Sequence, residues 1–429
     1  YIYGFFDYLG LALGHEKIGF IVLVLLQSAV GACSLALAVC WLKARTTMAD
    51  SVLYGLVWVI LLIPSFSSYM TVIMKDSTWV PFFLFWLVAF SEILFRRNNR
   101  EPIGWKLICL FVFLAIVAGL TKKSSLYVTT PATLILMLAY AKNRLKVGVA
   151  ALVPPLVVLL LIPAVLFPVL KIAPGGKQES LGTPIQQVTK VLLDRGGEIS
   201  AQDLQIINRV FSVEKAKKVW KSSTVDPVKQ TFRTGVKQSD ILAFEFLWVR
   251  LFFRFPVEYL KAVPFIRNAF LVGPTYYTIG SQKCGWGPSG GYAILPGIAD
   301  CSYSWQQKHL GVPLYNIVNR IPPFSLLGAE ALYTAWIPLV SIGLCVIRKR
   351  WKNLLFFLPF VFMALIQLLI PAYQTRYSLG FLFGFMIAVA APFIRDGSIS
   401  SGVGSVTDEV GGGTQERVRY KESEAIEGE

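Results

Sequence analysis

Nine apolar runs constrain this chain more than any other feature. They are Ile18–Leu42, Val52–Met70, Trp79–Phe95, Trp105–Leu120, Leu126–Tyr140, Val147–Leu170, Leu326–Ile347, Leu354–Ile370 and Tyr377–Phe393. A helix rises about 1.5 Å per residue, so about 20 residues cross a hydrocarbon core of roughly 30 Å. Trp105–Leu120 and Leu126–Tyr140 are short, and read as a tight hairpin sheltered by other helices or relieved by snorkelling lysines. The chain is 55% apolar and 15% charged, against about 25% charged in soluble domains. That composition excludes soluble globular, disordered and nucleic-acid-binding proteins. The expected fold class is an all-α polytopic membrane protein with about nine transmembrane helices.

Lysine and arginine set the orientation. Net charge is +16, but the tail from Arg395 to Glu429 carries four excess negative charges. Basic residues follow alternate runs: Lys43 and Arg45, then Arg96, Arg97, Arg100 and Lys106, then Lys142, Arg144 and Lys146, then Arg348, Lys349, Arg350 and Lys352. These loops belong in the cytoplasm, which puts Tyr1–Lys17 outside and the tail inside. Lys122-Lys123 breaks the rule, because it falls in an outer loop. Four regions follow. Residues 1–170 hold an outer amphipathic start and six spans. Residues 171–325 form one large external α-rich insert between the sixth and seventh spans. Residues 326–394 hold three spans, and 395–429 a disordered cytoplasmic tail. The opening Tyr-Ile-Tyr-Gly-Phe-Phe, with no Met, basic leader or cleavage site, reads as part of a longer protein lacking its first span and loop.

Within the insert, Ser200 reads as a helix cap with Asp203 three residues on. Leu204, Ile207, Val210 and Phe211 then make an apolar stripe at helical spacing, the pattern of packing. Phe246–Val272 is apolar but does not read as a tenth span. Arg250, Arg254, Glu258 and Lys261 would line one helix face, Pro256 breaks the run, and Arg267 follows. Such a helix lies on a membrane surface.

Cys33, Cys40, Cys109 and Cys345 fall in spans and read as small apolar packing residues. Cys284 and Cys301 are the external pair, able to form a disulfide if that side is oxidising. His15 and His309 are the only histidines. No Cys/His cluster has metal-ligand spacing, so no metal site or cofactor is expected. No phosphate-cradling glycine pattern suggests an ATP-driven pump.

Four outer-face features carry chemistry. In Met74-Lys75-Asp76-Ser77, a carboxylate beside a lysine suits orienting a base, binding a metal ion or positioning an acceptor hydroxyl. It equally suits a turn in which Asp76 caps the next helix through the Trp79 N–H. In Gln374-Thr375-Arg376-Tyr377, arginine offers a planar fork matched to phosphate, or the pair anchors at the lipid headgroups. In Gly119-Leu120-Thr121-Lys122-Lys123-Ser124, two cations suit a phosphate or pyrophosphate, or meet a carbonyl-rich helix end. In Gly273–Trp305, the residues Tyr276, Tyr277, Trp286, Tyr292, Tyr303 and Trp305 suit sugar stacking or a small disulfide-stapled core.

In order, these features are a span with Leu26-Gln27-Ser28, the Lys75-Asp76 loop, the lysine turn, the insert, and Arg376-Tyr377. Together they resemble the GT-C superfamily of polytopic glycosyltransferases, which use lipid-linked sugars. More narrowly, the chain looks like a bacterial family of uncharacterised membrane proteins close to that superfamily. There the insert carries segments similar to Glu179-Ser180-Leu181-Gly182-Thr183-Pro184-Ile185-Gln186-Gln187 and Asp226-Pro227-Val228-Lys229. The resemblance covers Tyr1 to about Pro392. It implies Asp76 at the second acidic position and Arg376 as a donor-phosphate contact. The acidic residue of the first outer loop would precede Tyr1, and Asp7 is the nearest carboxylate to it.

The function expected is transfer of a sugar from a polyprenyl-phosphate donor to a glycan or protein acceptor at the outer membrane face. Asp76 would be catalytic, and Lys75, Lys122, Lys123, Arg376 and Tyr377 would bind substrate. The alternatives are a flippase or transporter of lipid-linked sugars, which needs polar groups in the spans where only Glu92 and Glu330 lie near span ends, and a non-enzymatic assembly protein. Membrane lipid is a partner in every case, and nucleic acid in none.

Overall fold

The computed structural model describes residues 2–139, 144–169, 171, 176–263, 309, 321, 322, 324–370 and 375–395. Every named element among them is helical, with β pairing confined to three isolated bridges. The N-terminal part runs α1 (Ile2–Ala12), α2 (Glu16–Arg45), α3 (Asp50–Leu62), α4 (Pro64–Thr71), α5 (Lys75–Asn98), α6 (Trp105–Thr121), α7 (Leu126–Ala139) and α8 (Arg144–Pro155). A wide π-helical stretch, Leu156–Leu166, prolongs α8 into the short α9 (Phe167–Val169). Pro155 and Pro163 lack an amide N–H, which loosens the ladder there. Six helices make a second unit: α10 (Lys177–Asp194), α11 (Ala201–Val210), α12 (Val213–Val219), α13 (Asp226–Lys229), α14 (Gln238–Arg254) and α15 (Pro256–Lys261). The chain returns through α16 (Phe324–Leu327), α17 (Ile337–Ile347), α18 (Leu358–Gln367) and α19 (Leu379–Ala390).

Among the described residues four helices are long and apolar enough to cross a membrane, Lys17–Arg45, Lys75–Asn98, Arg144–Val169 and Thr375–Phe393, and the bent pair α3–α4 makes a fifth if it is one span. This is fewer than the nine runs suggest. Val52–Met70 is not one helix, because α3 and α4 meet at 56°. Pro64 disfavours helical backbone at the residue before it, and Ile63 is extended at φ −84°, ψ 111°. Trp105–Thr121, Leu332–Ile347 and Trp351–Gln367 are helical and apolar but shorter.

Burial separates the long helices into two kinds. The apolar windows of Lys75–Asn98 and Thr375–Phe393 are 83% and 78% buried, whereas those of Lys17–Arg45 and Arg144–Val169 are 28% and 22% buried. The first pair therefore forms the axis of the bundle and the second its outer wall. Gly384 lets α19 approach α5, since a Cβ there would sit 2.9 Å from a Leu87 methyl. Phe66, Phe83, Trp86, Phe90 and Phe111 fill the space around the axis.

Side-chain contacts sort the loops into two ends. At one end Glu92 takes Arg45, Arg96 and the Trp41 indole at 2.7–3.1 Å. Lys146 donates to the Ile103 carbonyl, Arg97 to that of Ala139, and Arg395 to that of Thr46. Arg350 donates to the Ile394 carbonyl, so described members of all four basic clusters meet at one end. At the other end lie the starts of α1 and α5, the end of α6, and the 3-10 turn Thr375–Ser378. The second unit joins this second end, where the Thr183 hydroxyl donates to the Leu369 carbonyl at 2.7 Å.

That unit has its own core. The Ser200 hydroxyl accepts from the Asp203 N–H at 3.1 Å, and Ile207, Val210 and Phe211 are buried with Leu204 packed beside them. Helix α14 buries Ile241, Phe244, Leu247 and Leu251 against this core. Its opposite side leaves Leu242, Phe246, Val249 and Phe253 exposed at four-three-four spacing, one helix stripe. Arg250 pairs with Asp203, and Pro256 separates α14 from α15 as its position in the sequence suggests. Cys33, Cys40 and Cys109 face outward instead of packing inside, while Cys345 is buried. The Cys284–Cys301 pair, the aromatic stretch Gly273–Trp305, Arg267, Gln374 and the tail from residue 396 lie outside the described residues.

Candidate functional site

The first turn of α5 places Asp76 in the interior. The sequence puts Lys75-Asp76 in a short loop, but the helix begins at Lys75 with Met74 as its cap residue. The chain folds this way because Met74 is extended and Pro81 sits far enough inside the helix to leave its first turn intact. Asp76 therefore does not cap the helix, and its carboxylate is fully buried.

Two cations reach Asp76 from distant segments. Lys122, on the turn after α6, brings Nζ within 2.6 Å of Oδ1. Arg376, in the turn before α19, brings Nε within 3.8 Å of Oδ2. Neither carboxylate oxygen receives an aligned hydrogen bond, and Arg376 Nε is buried without one. Two cations thus face one carboxylate. Burial pushes the Lys122 ammonium below the usual lysine range, and the neighbouring Asp76 carboxylate opposes that. The ammonium also lies 4.4 Å from the Trp79 ring centroid and 5.5 Å from that of Tyr377. Arg376 stacks over Tyr377 at 5.2 Å, an arrangement that keeps a poorly solvated cation in place.

Lys75 and Lys123 do not join this cluster. Consecutive helix residues point about 100° apart, so Lys75 is exposed while Asp76 is buried. Lys123 is exposed while Lys122 is drawn inward. Both exposed lysines line a cavity of about 450 Å³ with Tyr3, Thr78, Val158 and Phe167. The Lys122 side chain goes to a carboxylate, not to the carbonyls of its own helix end, which only its backbone N–H meets at Ala118.

A second cavity, of about 430 Å³, lies on the Lys122 side and is lined by Trp79, Ser125, Tyr127, Gln367 and Tyr377. Lys122 of the buried pair lines this second cavity, while Thr78 and Trp79, close to Asp76 on α5, line the first and the second respectively. A larger groove of about 580 Å³ lies in the second unit around Lys177, Lys229 and Arg233. Its Lys229 is already paired with Glu179 at 3.0 Å, and none of the Asp76 cluster lines it.

A hydrogen-bond chain holds the front of α5. Gln27 donates to the carbonyls of Met70 at 2.8 Å and Val72 at 3.0 Å. Thr78 donates to Gln27 Oε1 at 2.9 Å, and the Tyr3 hydroxyl meets Thr78 Oγ1 at 3.0 Å. Since the Thr78 proton goes to Gln27, Tyr3 is the donor. Behind Arg376, the hydroxyls of Thr375 and Tyr69 meet at 2.6 Å.

Sequence reasoning identified Asp76, Lys122, Arg376 and Tyr377, and missed Trp79, Ser125 and Gln367. Gln367 carried a usable signal, as the only polar residue in the run Leu354–Ile370. Among the described residues no group of three His, Cys, Asp or Glu side chains could hold a metal ion.

The description of a family of unknown function, DUF6020, fits residues 1–280, and the chain belongs to that family. No curated protein and no solved structure matches it.

Proposed function

We propose that this member of DUF6020 is a membrane glycosyltransferase that takes a sugar from a polyprenyl-phosphate donor. The observation that carries this reading is the cationic excess at the buried Asp76 carboxylate, on which buried Lys122 and partly exposed Arg376 converge. A poorly solvated cation without a counter-charge calls for an anion. The adjoining cavity, with Lys75 and Lys123 among apolar walls, suits a phosphate bearing a hydrocarbon tail. A free nucleotide would need no such apolar wall.

In this reading the nine apolar runs are nine crossings. The end bearing the basic clusters is cytoplasmic, and residues 171–325 with the Asp76 cluster lie outside. An acceptor hydroxyl, from a glycan or protein, attacks the anomeric carbon. A new glycosidic C–O bond forms, the C–O bond to the phosphate breaks, and polyprenyl phosphate leaves with the electron pair. Lys122 and Arg376 stabilise the charge gathering on that phosphate, and Asp76 takes the acceptor proton. Tyr377 holds the Arg376 guanidinium flat.

The test follows release of polyprenyl phosphate from a panel of polyprenyl-phosphate monosaccharides in membranes containing the full-length protein. At least one donor is consumed above a membrane control, and Arg376→Ala abolishes that consumption. Donor movement across the membrane without release supports transport instead.

A further inference from the structure

The cavity on the Lys122 side carries an unusual wall. Gln367 is 1% exposed, yet neither its amide nitrogen nor its amide oxygen has a hydrogen-bond partner. Ser125 Oγ and Trp79 Nε1 are likewise buried and unpartnered. All three residues line the same cavity of about 430 Å³, a size within the roughly 300–1,000 Å³ of small-ligand sites. Buried polar groups are nearly always satisfied, so orphans gathered on one cavity point to what fills it.

The mix of orphans selects the chemistry. Gln367 offers a donor and an acceptor, Ser125 both in one hydroxyl, and Trp79 a donor. A phosphate or ionised carboxylate only accepts, and would leave the Gln367 carbonyl unmet. A hydrocarbon chain would leave all of them unmet. Hydroxyl groups both donate and accept, so several on a rigid ring satisfy the whole set. Both faces of Trp79 are occupied, one by Lys122 at 4.4 Å and one by stacking with Phe83 at 4.7 Å. Its free edge therefore serves as a donor. Tyr127, 61% exposed, is left as a flat apolar platform. Ile366 and Met363 supply apolar surface for the C–H side of a ring.

We propose that this cavity binds the ring of an uncharged hexopyranoside through Gln367, Ser125 and the Trp79 indole N–H. The inference rests on the transferase reading and divides its substrate, placing the sugar on the Lys122 side and the lipid tail on the Lys75–Lys123 side. The ring can come from the donor headgroup or from a glycan acceptor.

The experiment is equilibrium dialysis of full-length protein in lipid nanodiscs against radiolabelled methyl hexopyranosides, with octyl phosphate as a competitor. Saturable binding of at least one glycoside is expected. Gln367→Met should weaken it by at least about tenfold, and Ser125→Ala should weaken it less. Because Gln367→Met removes two unmet buried polar atoms, it should leave the ligand-free thermal midpoint unchanged or raised, which separates lost binding from misfolding. Competition by octyl phosphate assigns the ring to the donor, and its absence assigns the ring to the acceptor. If no glycoside binds, or if Gln367→Met binds as the parent does, the proposal is overturned. Glycoside binding without polyprenyl phosphate release would sink the transferase reading but leave this site standing. Undiminished release by Gln367→Met would do the reverse.

Discussion

Lys122 Nζ sits 2.6 Å from Asp76 Oδ1, and both side chains are nearly or fully withdrawn from the surface. Two helix ends far apart in sequence are thereby fastened by one charge pair. Removing Asp76 leaves Lys122 buried and uncompensated, at a cost of about 3–5 kcal/mol, whereas removing Lys122 leaves Asp76 still faced by Arg376. Asp76→Asn should lower stability by that order, and Lys122→Met by less. The double variant should recover much of the loss while remaining unable to release polyprenyl phosphate. Unfolding in mixed detergent micelles, run alongside the release assay, checks both halves.

Helix α1 carries Tyr3 onto the front of α5, and its position depends on Gly19. A Cβ at Gly19 would collide with the Phe6 carbonyl oxygen. Gly19→Val should push α1 outward at a cost of about 1–3 kcal/mol and release the Tyr3–Thr78 contact. Faster amide exchange through residues 2–12, with little change in α5, is the expected result.

Glu258 begins the α14–α15 corner and pairs with Arg195 at 3.2 Å. Its own helix-start N–H, and then the Arg195 guanidinium, hold its carboxyl below the usual carboxylate range. A depressed carboxylate stabilises the fold fully above its unfolded pKa, about 4.3, and that contribution is lost as pH falls through the lower folded value. Exchange protection over residues 256–261 should therefore hold from neutral pH to about 5 and fall below about 4. Arg195→Ala should begin that fall at higher pH.

The exposed stripe Leu242, Phe246, Val249 and Phe253 on α14 is proposed to rest on the membrane surface. A fluorophore at residue 253 should be quenched by lipids brominated near the headgroup, and one at residue 250, on another side of the helix, much less.

The apolar runs were legible because hydrophobicity is continuous along each, even where, as in Val52–Met70, the helix is not. The break at Ile63 was legible only as Pro64, whose effect on the backbone is local but whose 56° consequence depends on what α3 and α4 pack against. Asp76, Lys122 and Arg376 stood out because charge at a membrane surface is costly. Their meeting was not readable, since it depends on how α5, α6 and α19 pack. Lys75 and Lys123 show the same limit, being adjacent in sequence to buried partners yet turned to another cavity. Trp79 and Ser125 gave no signal, because nothing local distinguishes a tryptophan or serine that lines a cavity from one that packs.

The most direct measurement is native mass spectrometry of the full-length protein purified gently from membranes that contain polyprenyl-phosphate sugars. The parent should retain a polyprenyl-phosphate species at about one per chain, a roughly hundredfold excess over chance retention if Lys122 and Arg376 bind phosphate with charge-assisted hydrogen bonds. Combined Lys122→Met and Arg376→Ala should lose it. Retention of ordinary phospholipids alone, equal in parent and variant, would contradict the assignment of the Asp76 cluster to a lipid-linked sugar.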